Sequence, residues 1–232
     1  MKKIFILIAL LASTYTINAQ TNYIIINGGI TQPRGEFANS DFFNPESGFA
    51  TDGYNLGFEV GYFFNPWIGI GGAFKFSNSN FDSDVINNHL QTQYWSMYDT
   101  IYIASGTYNL QNFLAGPYGK LDITNHISLF GKFFIGIMSA FRPEQTLNWT
   151  EPGQEPKSLY VDSKLASAFS WNLGGGLLLK FNDRIGVIFM ADYIAGNPKF
   201  EEFNYDDLVI ETNKQDIRYF NFNVGLALSL SQ

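Results

Sequence analysis

The sequence predicts an all-β protein, an eight-stranded antiparallel up-and-down transmembrane β-barrel. Three observations point to this fold class: strand-like alternation in eight segments, a regular exchange of short turns with long loops, and an unusual composition. Aromatic residues make up 17% of the chain and charged residues only 15%, whereas ordinary soluble domains carry roughly 25% charged residues. No stretch after residue 19 reads as a transmembrane helix, so strands must account for the apolar surface.

Alternation of large apolar with small or polar residues marks the strands, because successive side chains of a strand point to opposite faces. In the last segment, Phe222, Val224 and Leu226 alternate with Asn221 and Asn223. Crossing a bilayer takes about 9–11 tilted residues, which these segments supply. The eight predicted strands cover residues 22–31, 54–64, 67–78, 107–122, 126–141, 167–181, 184–195 and 217–230.

Short and long connections alternate along the chain, and each short turn carries an asparagine. This order predicts a meander with all tight turns at one end of the barrel and all long loops at the other. Pro117 falls inside the fourth segment and predicts a bulge or a misplaced strand end there. The short turns lie at Asn65-Pro66, Thr124-Asn125 and Asn182-Asp183, and the long connections at residues 32–53, 79–106, 142–166 and 196–216.

The two faces of the predicted strands differ in bulk. A soluble barrel would enclose the Phe, Tyr, Trp and Leu side chains, but eight strands leave room for only a modest filling or one small ligand. Gly, Ser, Asn and Ala with a few charges fit that volume better. The bulky face is therefore predicted to point outward into lipid, where a sheet must close on itself to satisfy its backbone.

Aromatic residues crowd around the first tight turn, in the stretch YFFNPWIGIGG at residues 62–72. Amphipathic rings collect at membrane–water interfaces. Tyr62, Phe64 and Trp67 are therefore predicted to form an aromatic girdle at the tight-turn end, with the Asn-Pro turn just outside the membrane.

The N-terminus has the order of a secretory signal peptide. Lys2 and Lys3 precede an apolar run over residues 4–12, and a mainly polar stretch follows that ends in the small residue Ala19. The run is too short for a membrane-anchoring helix, which needs about 20 residues. The predicted organisation is a signal peptide over residues 1–19 and a β-barrel domain over residues 20–232.

Composition argues against several partners and cofactors. The formal net charge of −7 makes nucleic acid a poor partner. The chain has no cysteine and two histidines, which excludes disulfides and thiolate sites and leaves little room for zinc. The sequence thus predicts no metal, no cofactor and no nucleic-acid partner.

Four charged residues are predicted to point into the barrel. Glu59 and Lys75 lie on adjacent strands about one diagonal step apart, roughly 7–8 Å between backbones, and Lys132 and Asp192 lie on inward faces. One interpretation is a polar channel or relay. The other is an internal ion-pair plug, which is favoured because buried charges need partners and eight strands leave no open lumen.

The pair His126 and Ser128 resembles the His-x-Ser pair of outer-membrane lipid A deacylases. The carboxylate of such a site is missing, since residues 139–141 read Ser-Ala-Phe, and hydrolysis needs nucleophile, base and orienting acid together. No catalytic residue is therefore predicted. A palmitoyl-transferase barrel is the other enzyme option, and only scattered residues such as His89 speak for it.

Together these features resemble the small eight-stranded bacterial outer-membrane β-barrels of the OmpX and OmpA-barrel type. The FNP and FND hairpins at Asn65 and Asn182 resemble in particular the PorT-like outer membrane β-barrel domain. The resemblance implies short periplasmic turns, long extracellular loops and the outer membrane of a Gram-negative bacterium. It also implies outer-membrane lipid as a partner and, through the loops, another envelope protein such as part of a secretion machine.

The long loops carry aromatic residues, and loops longer than about 12–15 residues are usually functional or disordered. Aromatic surface beyond the bilayer suggests contact with another protein or with surface polysaccharide; alternatively, the rings pack on one another as a cap. Residues 93–103 are predicted to continue strands above the membrane as a hairpin. The loop aromatics include Phe42, Phe43, Tyr94, Trp95, Tyr98, Trp149 and Tyr160.

The predicted function is non-enzymatic: a structural or adhesive protein, or a subunit of a surface or secretion assembly that acts through its extracellular loops. Two alternatives stay open at this point. One is a lipid A-modifying enzyme of the deacylase or acyltransferase type, and the other is a narrow channel.

Overall fold

The computed structural model describes residues 22–204 and 209–230. The predicted signal peptide, residues 1–19, lies outside the described residues. Helix α1 spans Ser83–Tyr94, and a 3-10 helix spans Gly35–Ala38. None of the helices in the described part of the chain has both the length and the hydropathy to cross a bilayer.

The rest of the described chain is mainly strand. In chain order the strands are β1 Asn22–Arg34, β2 Ala50–Phe63, β3 Ile68–Phe81, β4 Thr100–Ser105, β5 Thr107–Asp122, β6 Ile127–Arg142, β7 Gln145–Thr150, β8 Lys157–Val161, β9 Lys164–Lys180, β10 Ile185–Gly196, β11 Lys199–Asn204, β12 Val209–Lys214 and β13 Ile217–Ser229.

Eight of these strands close a barrel, in the spatial order β1, β13, β10, β9, β6, β5, β3, β2. Every neighbouring pair is antiparallel, and the pairing of β1 with β13 closes the ring. The predicted fold class is confirmed. Strand ends agree with the prediction to within a few residues, and the largest difference is the start of β2 at Ala50 instead of Tyr54.

Side-chain oxygens fix the three tight turns. Asn65 Oδ1 accepts hydrogen bonds from the backbone N–H groups two and three residues later, at 2.9 and 2.8 Å. Asn182 does the same between β9 and β10. Between β5 and β6 the acceptor is Thr124 Oγ1, so the predicted asparagine turn is a threonine turn there. Both residue types stabilise turns by this local hydrogen bonding.

The barrel wall has an apolar outer face. Along β13, Val224 and Leu226 keep 54% and 57% of their surface exposed, whereas Asn221 and Asn223 are buried. The same alternation holds on the other barrel strands. An apolar surface of this extent is stable against hydrocarbon and not against water, which confirms that the bulky face points outward.

The interior is packed in layers, and it is more apolar than the sequence predicted. An apolar cluster fills the tight-turn end, and a second one fills the loop end beneath the 3-10 helix. Inward glycines make room for the rings: a Cβ on Gly71 would lie 2.7 Å from the Tyr118 ring and 2.9 Å from the Phe134 ring. Large members are Tyr23, Phe63, Tyr118, Phe130 and Phe134 in the first cluster, and Phe37, Tyr108, Met138, Ile217 and Tyr219 in the second.

Strand β5 runs through Pro117 without a bulge, so the predicted irregularity is wrong. Ala115 pairs with Ile135 and Tyr118 pairs with Lys132, at the same offset on both sides of the proline. The proline side chain points outward and is exposed. Proline has no N–H group to donate to the neighbouring strand. Residues 116 and 117 therefore form no pair with β6, and the register of the two strands is unchanged on either side.

Three barrel strands continue past the barrel as a separate three-stranded sheet of β4, β7 and β8, termed the outer sheet. Leu147 pairs with Leu159 at the same offset as Arg142 with Lys164 in the barrel, so β7 and β8 extend β6 and β9. In the same way β4 extends β5. The hairpin predicted over residues 93–103 is therefore wrong in part: β4 does continue a barrel strand, but it pairs with β7, and the chain before it is helix up to Tyr94.

Candidate functional site

Four barrel strands bring the predicted interior charges together. Glu59 on β2, Lys75 on β3, Lys132 on β6 and Asp192 on β10 all point into the lumen, and none is more than 5% exposed. These four side chains are termed the charge cluster. They lie between the two apolar layers of the interior.

The charges alternate in sign, and each lysine bridges both carboxylates. Lys75 Nζ lies 2.8 Å from Glu59 Oε1 and 2.6 Å from Asp192 Oδ2. Lys132 Nζ lies 2.6 Å from Glu59 Oε1 and 2.9 Å from Asp192 Oδ1. The cluster is neutral as a whole, which offsets part of the free-energy cost of taking each charge out of water.

Neighbouring amides and one glycine complete the cluster. Asn172 and Asn223 donate side-chain hydrogen bonds to Asp192 at 3.4 and 3.3 Å. A Cβ on Gly174 would lie 2.1 Å from Asp192 Oδ1 and 2.7 Å from Lys132 Cε. The glycine run of β9 therefore leaves the space in which these side chains meet.

The three residues predicted for the aromatic girdle lie on the outside of the barrel at the tight-turn end. Tyr62, Phe64 and Trp67 are 39%, 52% and 65% exposed. The rings of Tyr62 and Phe64 form a T-shaped contact with centroids 5.4 Å apart. Phe63 between them points inward and is buried. This is the position in which amphipathic rings meet a membrane interface.

The residues His126 and Ser128 lie at the tight-turn end. His126 is exposed in the turn before β6, whereas Ser128 is buried and points into the barrel. The Ser128 hydroxyl donates to Asp122 Oδ1, and Lys180 Nζ lies 2.9 Å from the same oxygen. The serine therefore belongs to a hydrogen-bonded network beside a cavity of about 260 Å³ at this mouth of the barrel. Among the described residues, no three His, Asp or Glu side chains are grouped so that they could hold a metal ion.

The two edges of the outer sheet differ. On β4, the side chain of Asn87 in α1 takes the place of a neighbouring strand: its Nδ2 donates to the Ile103 carbonyl at 3.1 Å, and the Ile103 N–H donates to its Oδ1 at 2.6 Å. Capping an edge in this way prevents unwanted strand pairing. On the other side of the sheet, all five residues of β8 are exposed.

An ion pair ties the turn between β7 and β8. Lys157 Nζ donates to Glu151 Oε1 at 2.9 Å, and this hydrogen bond lowers the pKa of Glu151. Gly153 adopts a φ of +72° in the same turn, a conformation that glycine takes at little cost. The end of the outer sheet farthest from the barrel is thus a defined turn.

The loop aromatics form two groups. Phe42 and Phe43 pack on each other and on His89, with the Phe42 and His89 rings stacked at 4.1 Å. This group forms a cap. Trp95 keeps 77% of its surface exposed and lines an open cavity together with Tyr98. The second group places a largely exposed indole beside a cavity.

A closed barrel with an apolar exterior, a filled interior and structured loops at one end defines an integral β-barrel membrane protein. The chain belongs to the family described as outer membrane protein beta-barrel domain, which matches residues 5–229. The protein therefore lies in the outer membrane of a Gram-negative bacterium.

Similar solved structures include three bacterial proteins. The attachment invasion locus protein Ail of Yersinia pestis is 17% identical, with 92% of this chain and 100% of that chain covered and a TM-score of 0.42. Neisserial surface protein A is 7% identical, with 89% and 96% covered and a TM-score of 0.45. A major outer membrane protein from Thermus thermophilus is 8% identical, with 90% and 99% covered and a TM-score of 0.45. No curated protein is significantly similar to the chain in sequence.

Proposed function

We propose that the protein is a non-enzymatic outer-membrane component that acts through its extracellular loops, as an adhesive or structural protein or as a subunit of a surface or secretion assembly. Outer-membrane lipid surrounds the barrel in this proposal. Another molecule of the envelope or of the surroundings contacts the outer sheet and α1.

One observation carries the proposal: ordered structure continues outward from the barrel while the interior is filled. Strand β7 follows β6 after two residues and extends it by a further six, which is about 20 Å at roughly 3.3 Å per residue. A scaffold that holds structured loops away from the membrane is a common way to present a binding surface. The wall of the barrel supplies the rigid base.

The filled interior favours this role over a narrow channel. The charge cluster and the two apolar layers occupy successive levels of the lumen, and ions would have to break buried ion pairs in order to pass. The lipid A enzyme has less support, because Ser128 is buried in a network with Asp122 at the periplasmic end. Lipid A lies in the opposite leaflet.

Affinity purification from gently solubilised membranes tests the proposal. In the matched variant, residues 144–162 are replaced by Asn-Gly, a two-residue turn that suits the pairing of Arg142 with Lys164 at the end of β6 and β9. We expect a stable companion with the wild type and its loss with the variant, while both proteins keep a heat-resistant folded barrel. A wild type without a companion, or a companion that the variant retains, contradicts the proposal.

Mass spectrometry of lipid A addresses the enzymatic alternative. We expect the same acyl chains in cells with and without the gene. A chain gained or lost with the gene would favour a lipid-modifying enzyme and overturn the proposal.

A further inference from the structure

An open cavity of about 380 Å³ lies at the outer end of the molecule, where α1 passes into β4. Its volume is in the range of pockets that hold small ligands. Ile101, which is buried, forms part of the floor. The side chains around the opening are Gln91, Trp95, Tyr98, Asp99, Thr100 and Tyr102. This site is termed the aromatic pocket.

The pocket offers flat rings to a ligand. Trp95 is 77% exposed and Tyr102 is 44% exposed, and Tyr98 is positioned by a T-shaped contact with Tyr94 at 6.4 Å. Exposing an indole to water costs free energy that a bound ligand could recover. The negative faces of such rings attract partly positive C–H groups, which one side of a pyranose ring presents.

The outer sheet holds the backbone of the pocket at Asp99 and the hydroxyl group of Thr100. The Asp99 N–H donates to the Thr150 carbonyl at 2.8 Å, and the hydroxyl groups of Thr100 and Thr150 lie 3.1 Å apart. The turn after α1 is closed by the Met97 N–H, which donates to the Tyr94 carbonyl at 2.9 Å. The backbone that carries these groups is therefore already ordered before a ligand binds, which lowers the ordering cost of binding.

The charged groups that line the pocket disfavour anionic ligands. The lining contains one carboxylate, from Asp99, and no lysine or arginine among the described residues. An anionic ligand such as a phosphate or a uronic acid would meet repulsion without a compensating cation. The Asp99 carboxylate and the Gln91 amide can instead accept from and donate to neighbouring hydroxyl groups. Flat rings combined with acceptors and donors fit a neutral, polyhydroxylated ring.

We propose that the aromatic pocket binds a neutral oligosaccharide, with a pyranose ring stacked on Trp95 and its hydroxyl groups hydrogen-bonded by Asp99 and Gln91. This inference rests on the proposed function and names the ligand class for one part of the extracellular surface. An ammonium group, such as a lysine side chain of a protein, is the rival occupant, because aromatic rings beside a carboxylate also bind cations.

Binding of defined oligosaccharides to the folded protein tests the inference. The protein is placed in phosphatidylcholine nanodiscs, which carry no sugar headgroup, and titrated with maltohexaose, cellohexaose, mannohexaose and N-acetylchitohexaose by calorimetry. Trp95→Ala and Asp99→Asn are compared with Phe43→Ala, an exposed ring outside the pocket. We expect at least one sugar to bind, an affinity at least tenfold lower in both pocket variants, and no change in Phe43→Ala.

Three results would overturn the inference: no sugar binds the wild type, binding does not depend on Trp95, or a short oligolysine peptide binds where the sugars do not. The oligosaccharide titration can fail while the affinity purification succeeds, so the two proposals are tested separately. Loss of a companion on replacement of residues 144–162, with no sugar bound, would reject the oligosaccharide and leave the loop-mediated role standing.

Discussion

Lys75 is a buried cation whose two carboxylate partners come from different parts of the chain. Glu59 lies in the same hairpin, and Asp192 is on β10, across the lumen. Removing one partner of a buried ion pair typically costs about 3–5 kcal/mol, because the remaining charges are left uncompensated. Loss of a single member therefore destabilises the barrel, because it leaves a net charge buried in the interior.

We predict that Lys75→Met lowers the free energy of unfolding by about 3–5 kcal/mol, measured by urea unfolding in lipid vesicles. The double variant Glu59→Gln with Lys75→Met removes one charge of each sign, so it should recover much of the loss. Lys157→Met removes an exposed ion pair at the far turn and serves as the control, with no measurable change expected. Equal unfolding curves for Lys75→Met and the wild type would refute the pairing.

Gly174 leaves the space that the side chains of the charge cluster occupy. Its added methyl group would collide with Asp192 Oδ1, so Gly174→Ala should destabilise the barrel by on the order of 1–3 kcal/mol, as overpacking does. The matched variant Gly131→Ala places a methyl group on the outer face, where nothing lies within 4 Å. If thermal melting shows the two variants to be equally stable, the space assigned to the cluster is wrong.

The sequence could predict the direction of the four charges but not their full pairing. Strict alternation fixes which side of the wall Lys132 and Asp192 face, and the tight turn at Asn65 fixes the diagonal of Glu59 and Lys75. The contact of Lys132 with Asp192 depends on the bare backbone of Gly174, which pairs with both residues from β9. The contacts across the lumen, from Lys75 to Asp192 and from Lys132 to Glu59, depend on closure of the ring. No local pattern encodes that closure.

At the scale of elements, Asn87 replaces a strand at the edge of β4. We predict that Asn87→Ala speeds amide exchange at Ile103 and exposes residues 95–99 to proteolysis, because about 1 kcal/mol is lost with each hydrogen bond. Asn88→Ala, one residue along on the exposed side of α1, is the control. The edge-capping role fails if exchange at Ile103 is the same in both variants.

The Glu151 and Lys157 pair makes the turn of β7 and β8 sensitive to pH. The pKa of Glu151 is lowered, so its contribution to the order of the turn is present above the ordinary glutamate pKa and is lost as pH falls through the lowered value. We expect nitrogen relaxation measurements to show greater motion of residues 151–156 below about pH 4 than at neutral pH. In Lys157→Gln this difference should vanish, and a pH response that persists in that variant would contradict the assignment.

Element boundaries were predictable where turn chemistry marks them. The asparagine turns at Asn65 and Asn182 set the ends of four strands to within a residue or two. The outer sheet was not predictable, because its strands continue the barrel register across short breaks in a region that also contains α1. Residues 93–103 are rich in aromatic and β-branched residues, which suits a hairpin. In the structure β4 pairs with β7 instead, because the register of β5 and β6 continues into the outer sheet.

Across the whole molecule, exposed valine side chains occur both on the barrel wall and on the outer sheet. Val224, near the middle of β13, and Val161, on β8, are 54% and 46% exposed on the molecular surface. We infer that lipid hydrocarbon covers Val224 on the barrel wall and that water covers Val161 on the outer sheet. The sequence composition already predicted that lipid surrounds the barrel wall, because a low content of charged residues and a high content of aromatic residues are typical of such a surface.

The most direct test compares Val224→Arg with Val161→Arg by equilibrium unfolding in lipid vesicles. We expect Val224→Arg to lower the unfolding free energy by about 2–4 kcal/mol, the cost of a cation near the bilayer midplane, and Val161→Arg to leave it unchanged. Equal tolerance of arginine at the two positions would contradict a wall surrounded by lipid.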